Sequence, residues 1–290
     1  MRAADIAMYR AKHDGRGAFR FFEQEMDEEL RAQAEFESDL KAAIASGEIQ
    51  PYYQPLVDVA AGKVYGFEVL ARWPHPVRGM VPPDKFIPLC EQLGLIPQLC
   101  ASMLRRACRA ALRWPEDITL SVNISPSQLR DVSLPTQLLT ILNQEQFSPK
   151  RLEIEITETA LITDLETAKQ ILTAIRAVGI KVALDDFGTG YSSLYHLREL
   201  KFDKVKIDRS FVPSMEEDRE SEKIVDAILS LAQSIGMPTV AEGIENKRVL
   251  EHLAEKGCEF GQGFLFGKAL NAADAERLLG EGVAAAVVAG

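Results

Sequence analysis

Residues 152–186 read LEIEITETALITDLETAKQILTAIRAVGIKVALDD, and they decide the fold. The first six alternate strictly. Leu152, Ile154 and Ile156 lie on one face of an extended chain, and Glu153, Glu155 and Thr157 lie on the other. A helical pattern follows over Leu165–Val178. A second extended run, Lys181–Asp186, then opposes Val182 and Leu184 to Ala183 and Asp185. Strand, helix and strand within thirty-five residues is a βαβ unit, which requires a parallel pair.

The same rhythm continues on both sides. Strand-like runs occur at Tyr52–Val59, Val64–Arg72, Ile118–Ile124, Lys204–Asp208, Pro238–Glu242 and Gly261–Phe266, which with the first two make eight. Helical patterns stand between most of them: Asp84–Trp114 in two pieces, Leu134–Gln144, Ser192–Glu199, Glu216–Ile235, Lys247–Lys256 and Ala272–Leu279. Eight alternating units predict an α/β fold, a TIM-like (β/α)8 barrel. One junction departs from the rule. Only Ala60, Ala61, Gly62 and Lys63 separate the first two strands, too few for a crossover, so the first strand should run antiparallel to the second.

Composition narrows the function. The chain has 290 residues, 47% of them hydrophobic, and a formal net charge of −10. That suits one large domain with a short appendage, and an acidic surface argues against a nucleic-acid polymer as partner. The four cysteines (Cys90, Cys100, Cys108, Cys258) form no CxxC pair, and the four histidines show no zinc-like spacing, so reduced, buried thiols are expected. With no signal peptide and no apolar run near 18 residues, the expected compartment is the cytoplasm. Any membrane tether of a full-length protein would lie upstream.

Acids and amides recur on one strand face, near the C-terminal strand ends. Glu68 shares a face with Arg72, Asn123 with its neighbouring serines, Glu155 with Glu153, and Lys206 with Asp208. The branched face of each strand should pack under the outer helices, which turns these groups into the barrel, where charges need partners. Glu68, Glu155, Asp185, Asp186 and Glu242 set against Arg72 and Lys206 leave −3 in a confined site. Two divalent ions would neutralise that and leave room for a phosphodiester anion. Hard oxygen donors favour Mg2+ or Mn2+ over zinc. Taken singly, each group has a bland reading: turn and cap residues for Asp185-Asp186, a helix N-terminal charge pair for Glu155 and Glu158, a snorkelling side chain for Lys206, a cap for Asn123-Ile124-Ser125-Pro126. None of these explains why successive strands place such groups at one end. Asp186-Phe187-Gly188 matches a protein-kinase triplet, but no glycine-rich loop precedes it and no His-Arg-Asp is present.

With those residues laid out, the chain resembles the EAL-domain family of cyclic di-GMP phosphodiesterases over roughly residues 35 to 280. The likeness rests on eight motifs in order: Tyr53-Gln54-Pro55, Glu68-Val69-Leu70-Ala71-Arg72-Trp73, Val122-Asn123-Ile124-Ser125, Glu155-Ile156-Thr157-Glu158, Asp185-Asp186-Phe187-Gly188-Thr189-Gly190, Val205-Lys206-Ile207-Asp208, Ala241-Glu242-Gly243-Ile244-Glu245 and Gln262-Gly263-Phe264. The resemblance implies that Glu68, Asn123, Glu155 and Asp185 bind one metal, with Asp185 bridging to a second held by Asp186. Lys206, Glu242 and Glu68 would be catalytic, the first two beside the attacking water. Gln54, Leu70 and Arg72 would face the nucleotide, Asp208 a guanine edge and Phe264 a guanine face. Gln262 would support the cluster from the substrate side, and Glu158 would anchor the loop after Asp186. The implied reaction is two-metal hydrolysis of cyclic di-GMP to linear pGpG. Two positions depart from the family pattern: Val69 stands where the name has alanine, and Gly267-Lys268-Ala269 lacks the usual proline.

The resemblance also implies a homodimer through the face near Asp185–Leu194. Residues 1–34 read as the closing remnant of a GGDEF domain (Ala3–Gly17) and a linker helix, the phosphodiesterase barrel occupying 35–290; a covalently linked upstream GGDEF or sensor domain would lie outside this chain. Two other readings compete. A non-catalytic cyclic di-GMP receptor would not need the metal and lysine positions that are present. A sugar-cleaving barrel with paired carboxylates would leave Asn123, Lys206 and the double aspartate unexplained.

Overall fold

A computed structural model describes residues 24–161, 164–189, 197, 199–215 and 218–281. The GGDEF-like segment Ala3–Gly17, most of the helix expected at Ser192–Glu199 and much of the dimer face near Asp185–Leu194 lie outside these residues.

The strands are β1 (Gln50–Asp58), β2 (Lys63–His75), β3 (Gly79–Val81), β4 (Thr119–Asn123), β5 (Leu152–Thr157), β6 (Lys181–Phe187), β7 (Lys204–Ile207), β8 (Thr239–Ala241) and β9 (Phe260–Gly261). They form one sheet in the order β1-β9-β8-β7-β6-β5-β4-β2-β3, and pairing of β1 with β2 closes eight of them into a barrel. From β2 through β4 to β9 every neighbour in the ring is parallel. β1 runs against both β2 and β9, so the expected antiparallel strand is inverted relative to both neighbours. β3 stands outside the ring as a short hairpin on the overhanging end of β2.

The described helices are α1 (Gln24–Ser46), α2 (Pro83–Gln92), α3 (Ile96–Ala111), α4 (Leu134–Gln144), α5 (Leu165–Ala177), α6 (Arg219–Ser234), α7 (Lys247–Glu255) and α8 (Ala272–Glu281). Their starts are chemically marked. Asp164, Asp218 and Asn246 accept backbone N–H groups of the first turns of α5, α6 and α7, and proline opens α2, α3 and α4. α1 runs unbroken across the boundary expected at 34/35. No described helix is long and apolar enough to cross a membrane.

The apolar strand faces pack under these helices, as alternation predicts: Ile154, Ile156, Val182, Leu184, Val205 and Ile207 are all buried. Each such side chain contributes roughly 2 kcal/mol. The barrel interior departs from the usual branched apolar filling. At its base Lys204 Nζ lies 3.0 Å from Glu153 and 3.1 Å from Tyr65 Oη, and Ser121 Oγ donates to Glu153 at 3.1 Å. Burial, with Glu153 nearby, pushes the Tyr65 phenol well up. A second polar layer lies above, at the mouth.

The strand expected over Gly261–Phe266 ends at Gly261. A Cβ on Gly263 would lie 2.1 Å from the Ile244 carbonyl oxygen, so the chain turns there against another backbone instead of extending. Phe266 N–H closes the turn on Gly263 O at 3.1 Å.

Candidate active site

β7 carries Lys206 to the centre of the mouth, where it is 1% exposed. Its Nζ lies 2.8 Å from Glu155, 3.2 Å from Asp185 and 2.6 Å from Glu242. These side chains come from β5, β6, β7 and the residue after β8. Glu155 is registered with Ala183 and Lys206 with Val240, so Asp185 and Glu242 stand two residues further along, and the tilt of barrel strands brings the four together. A buried ammonium is tolerated only with such company. Burial pulls the Lys206 ammonium toward neutrality, but Glu155, Glu242, Glu68 and Asp185 outweigh it and hold its pKa well above the ordinary value.

On the other side of the mouth, β2 presents Glu68. Asn123 Nδ2 donates to Glu68 Oε1 at 2.7 Å, and Gln262 Nε2 to Oε2 at 2.6 Å. Burial acts to raise the Glu68 pKa, but Lys206, the two amides and Arg72 lower it overall. Gln54 is the β1 residue registered opposite Glu68.

Asp185 and Asp186 are consecutive, so simple alternation would send them to opposite faces. The ladder between β6 and β7 slips between Leu184 and Phe187, and Asp186 adopts a left-handed backbone with φ 56°. This bulge turns both carboxylates toward the mouth. Oxygens of Asp185, Asp186 and Glu242 lie within 4.8 Å of one another, a spacing suited to a metal ion. Burial first, then the neighbouring Asp185, pushes Asp186 up to about 6. Burial also raises Glu242 to about 7, and Glu155 goes well above the usual carboxylate range.

The donors fit hard divalent cations. Among the described residues, Glu155 Oε1 and Gln262 Oε1 are buried with no hydrogen-bond partner, and both belong to this cluster. Glu242 falls in the acidic triad itself, so it belongs among the candidate ligands as well as beside the water position expected for it. Glu158 is buried with neither carboxylate oxygen hydrogen-bonded among the described residues, and most of the loop it was expected to anchor lies outside them.

Around the charged centre lie the expected substrate residues. Leu70, Arg72, Asn123 and Thr157 help to line a cavity of about 370 Å3 that extends between β2, β4 and the helices α2 and α3. Phe264 is 61% exposed on the turn after β9, with Lys268 Nζ 5.5 Å from its ring centre. Asp208, just past β7, accepts Ser210 N–H at 2.9 Å and faces Asp186. The expected residues therefore gather at one end of one barrel. Sequence reading did not find the bulge, although two adjacent acids at a strand end are the signal for one. Nor did it find the Glu153–Lys204 pair beneath the site.

The EAL domain family model matches residues 37–269. An uncharacterized signalling protein of Caulobacter vibrioides is 45% identical over 268 residues, 92% of this chain and 33% of that protein. The cyclic di-GMP phosphodiesterase PdeR of Escherichia coli is 35% identical over 280 residues, 96% of this chain and 42% of its own length. The chain thus spans well under half of these relatives. A solved structure described as the PaMucR phosphodiesterase in complex with c-di-GMP superposes with a TM-score of 0.79 at 35% identity, covering 82% of this chain and 98% of that one.

Proposed function

Because the chain belongs to the EAL domain family, we propose that it hydrolyses cyclic di-GMP to linear pGpG with the help of two divalent ions, Mg2+ or Mn2+. The observation that carries this reading is the cluster around Lys206, where three carboxylates from separate strand ends meet one buried ammonium. Such an arrangement is costly to bury, and perturbed charges of this kind gather where chemistry is done.

Asp185, Asp186 and Glu242, with Glu155, Glu68 and the Asn123 amide, are the side chains that would hold the ions. When bound, the ions would supply an activated water and would neutralise charge at the phosphorus and the departing oxygen. The chain's own groups do the rest. Lys206 Nζ supplies positive charge to the phosphoryl group as negative charge builds there. Glu242, 2.6 Å from Lys206, would hold that ammonium beside the attacking water. Gln262 and Asn123 fix the rotamer of Glu68 through its two oxygens. Gln54, Leu70 and Arg72 receive the nucleotide at the rim, Asp208 takes a guanine edge, and Phe264 offers its exposed face to a base. Glu158 keeps its loop-anchoring role in this reading.

The proposal extends to a cytoplasmic setting, a homodimer through the face near Asp185–Leu194 and a linked upstream GGDEF or sensor domain. A concentration-dependent mass would support the dimer. The catalytic claim is tested by incubating the protein with cyclic di-GMP in Mg2+ or Mn2+ and in EDTA, and resolving the nucleotides chromatographically. We expect pGpG only with metal, and none from Glu68→Ala or Asp185→Asn. Tight binding of intact nucleotide in either buffer, without pGpG, would make the protein a receptor.

A further inference from the structure

We propose that Phe36 and Asp39 on α1 are positioning residues for Arg72. The inference rests on the assignment of Arg72 to the nucleotide. β2 is longer than the barrel needs. Its last residues leave the ring and pair with β3, Trp73 opposite Val81 and His75 opposite Gly79. α1 is fastened to this overhang by two side chains three residues apart, hence on one helix face.

The Phe36 ring lies 5.3 Å from the Trp73 ring, which is fully buried and meets Phe86 of α2 on another side at 5.8 Å. Asp39 Oδ2 lies 3.2 Å from His75 Nε2. His75 Nδ1 accepts the backbone N–H groups of Val77 and Arg78, both at 3.1 Å, so the ring proton resides on Nε2 and is donated to Asp39. Arg78 closes the clamp, its guanidinium 5.4 Å from the Phe36 ring centre and 3.7 Å from Asp39.

Trp73 and Arg72 are adjacent on one strand, so their side chains leave on opposite sides. Arg72 lines the cavity at the mouth, and its neighbour Trp73 is the residue that α1 holds. Tilting or loosening α1 rotates the strand at Trp73 and moves Arg72 with it. Glu68 lies further back, held inside the ring by Asn123 and Gln262, and is insulated from that motion. The clamp should accordingly govern nucleotide affinity and leave the chemical step largely untouched.

The test compares Phe36→Ala, Asp39→Ala and Asp39→Asn with Ile175→Val, a core change on α5 that lowers the melting temperature without touching the clamp. We expect Phe36→Ala and Asp39→Ala to raise KM for cyclic di-GMP about three- to tenfold, with kcat within about twofold. Asn still accepts the His75 proton, so Asp39→Asn should keep KM close to wild type, as should Ile175→Val. The Arg72 Nε–H resonance, assigned by its loss in Arg72→Lys, should shift in Phe36→Ala and Asp39→Ala only. If KM and that resonance stay in place in both alanine variants, the clamp is structural and the inference fails. Should the wild type show no turnover, the hydrolase reading falls, and the Arg72 resonance alone decides for or against the clamp.

Discussion

Asp186 is where local backbone preference gives way to the site. A non-glycine residue at φ 56° carries strain, smaller for aspartate than for most residues but still present. The carboxylate gains from this a place beside Asp185 and Glu242. Glycine would accept the same backbone without strain, while alanine would keep the strain and lose the acid. We therefore expect Asp186→Gly to fold with stability within about 1 kcal/mol of wild type, and Asp186→Ala to lie about 1 kcal/mol below the glycine variant. Hydrolysis should fall at least roughly a hundredfold in both. Urea unfolding and a nucleotide assay on the two proteins would check this, and an active Asp186→Gly would remove Asp186 from the metal site. The adjacent acids were legible in the sequence. Their shared direction was not, because alternation describes a regular strand and the bulge breaks it.

At the scale of elements, periodicity located what periodicity governs. β5, α4 and the α5 start match their sequence spans, because long, strictly patterned segments leave little choice of face. The errors fall where another backbone intervenes. β3 has three residues, too few to show any period, and it exists because the β2 overhang offers it a partner. The segment after Gly261 looks extended and apolar, yet it turns because Gly263 presses on the Ile244 backbone. That turn holds Gln262 against Glu68 and displays Phe264. Gly263→Ala would drive a Cβ to 2.1 Å from a carbonyl oxygen that has no rotamer to escape into. We expect a loss on the order of 3 kcal/mol or more in stability, with the Gln262–Glu68 contact displaced. Denaturant midpoints would read the first, and near-wild-type stability would show that the turn can yield.

Across the whole molecule, charge is concentrated where the strands end and the fold must hold it there. The candidate site was legible for this reason: buried acids on the inward face of several strands cannot be explained by packing. The number of protons they keep was not legible, because it depends on distances between strands. In the metal-free protein Glu155 sits well above its ordinary pKa of 4.5, Glu242 near 7 and Asp186 near 6, burial being the first cause in each. The folded state thus holds protons that the unfolded chain has already released. Their contribution to stability is complete below the unfolded values and is lost as pH rises through the folded ones. Glu68, lowered, loses its contribution only in acid, and Lys206, raised, only in strong base, so neither opposes the trend between about pH 5 and 7.5. In EDTA the melting temperature should therefore fall over that interval, by on the order of 5 °C. Mg2+ binds the ionised carboxylates and competes with those protons, so its stabilising effect should grow as pH rises. Melts at the two pH values, with chelator and with metal, would read both slopes. A melting temperature in EDTA that rises toward pH 7.5 would mean that the folded mouth releases its protons more readily than the open chain does, and that Lys206 outweighs the burial of its acids.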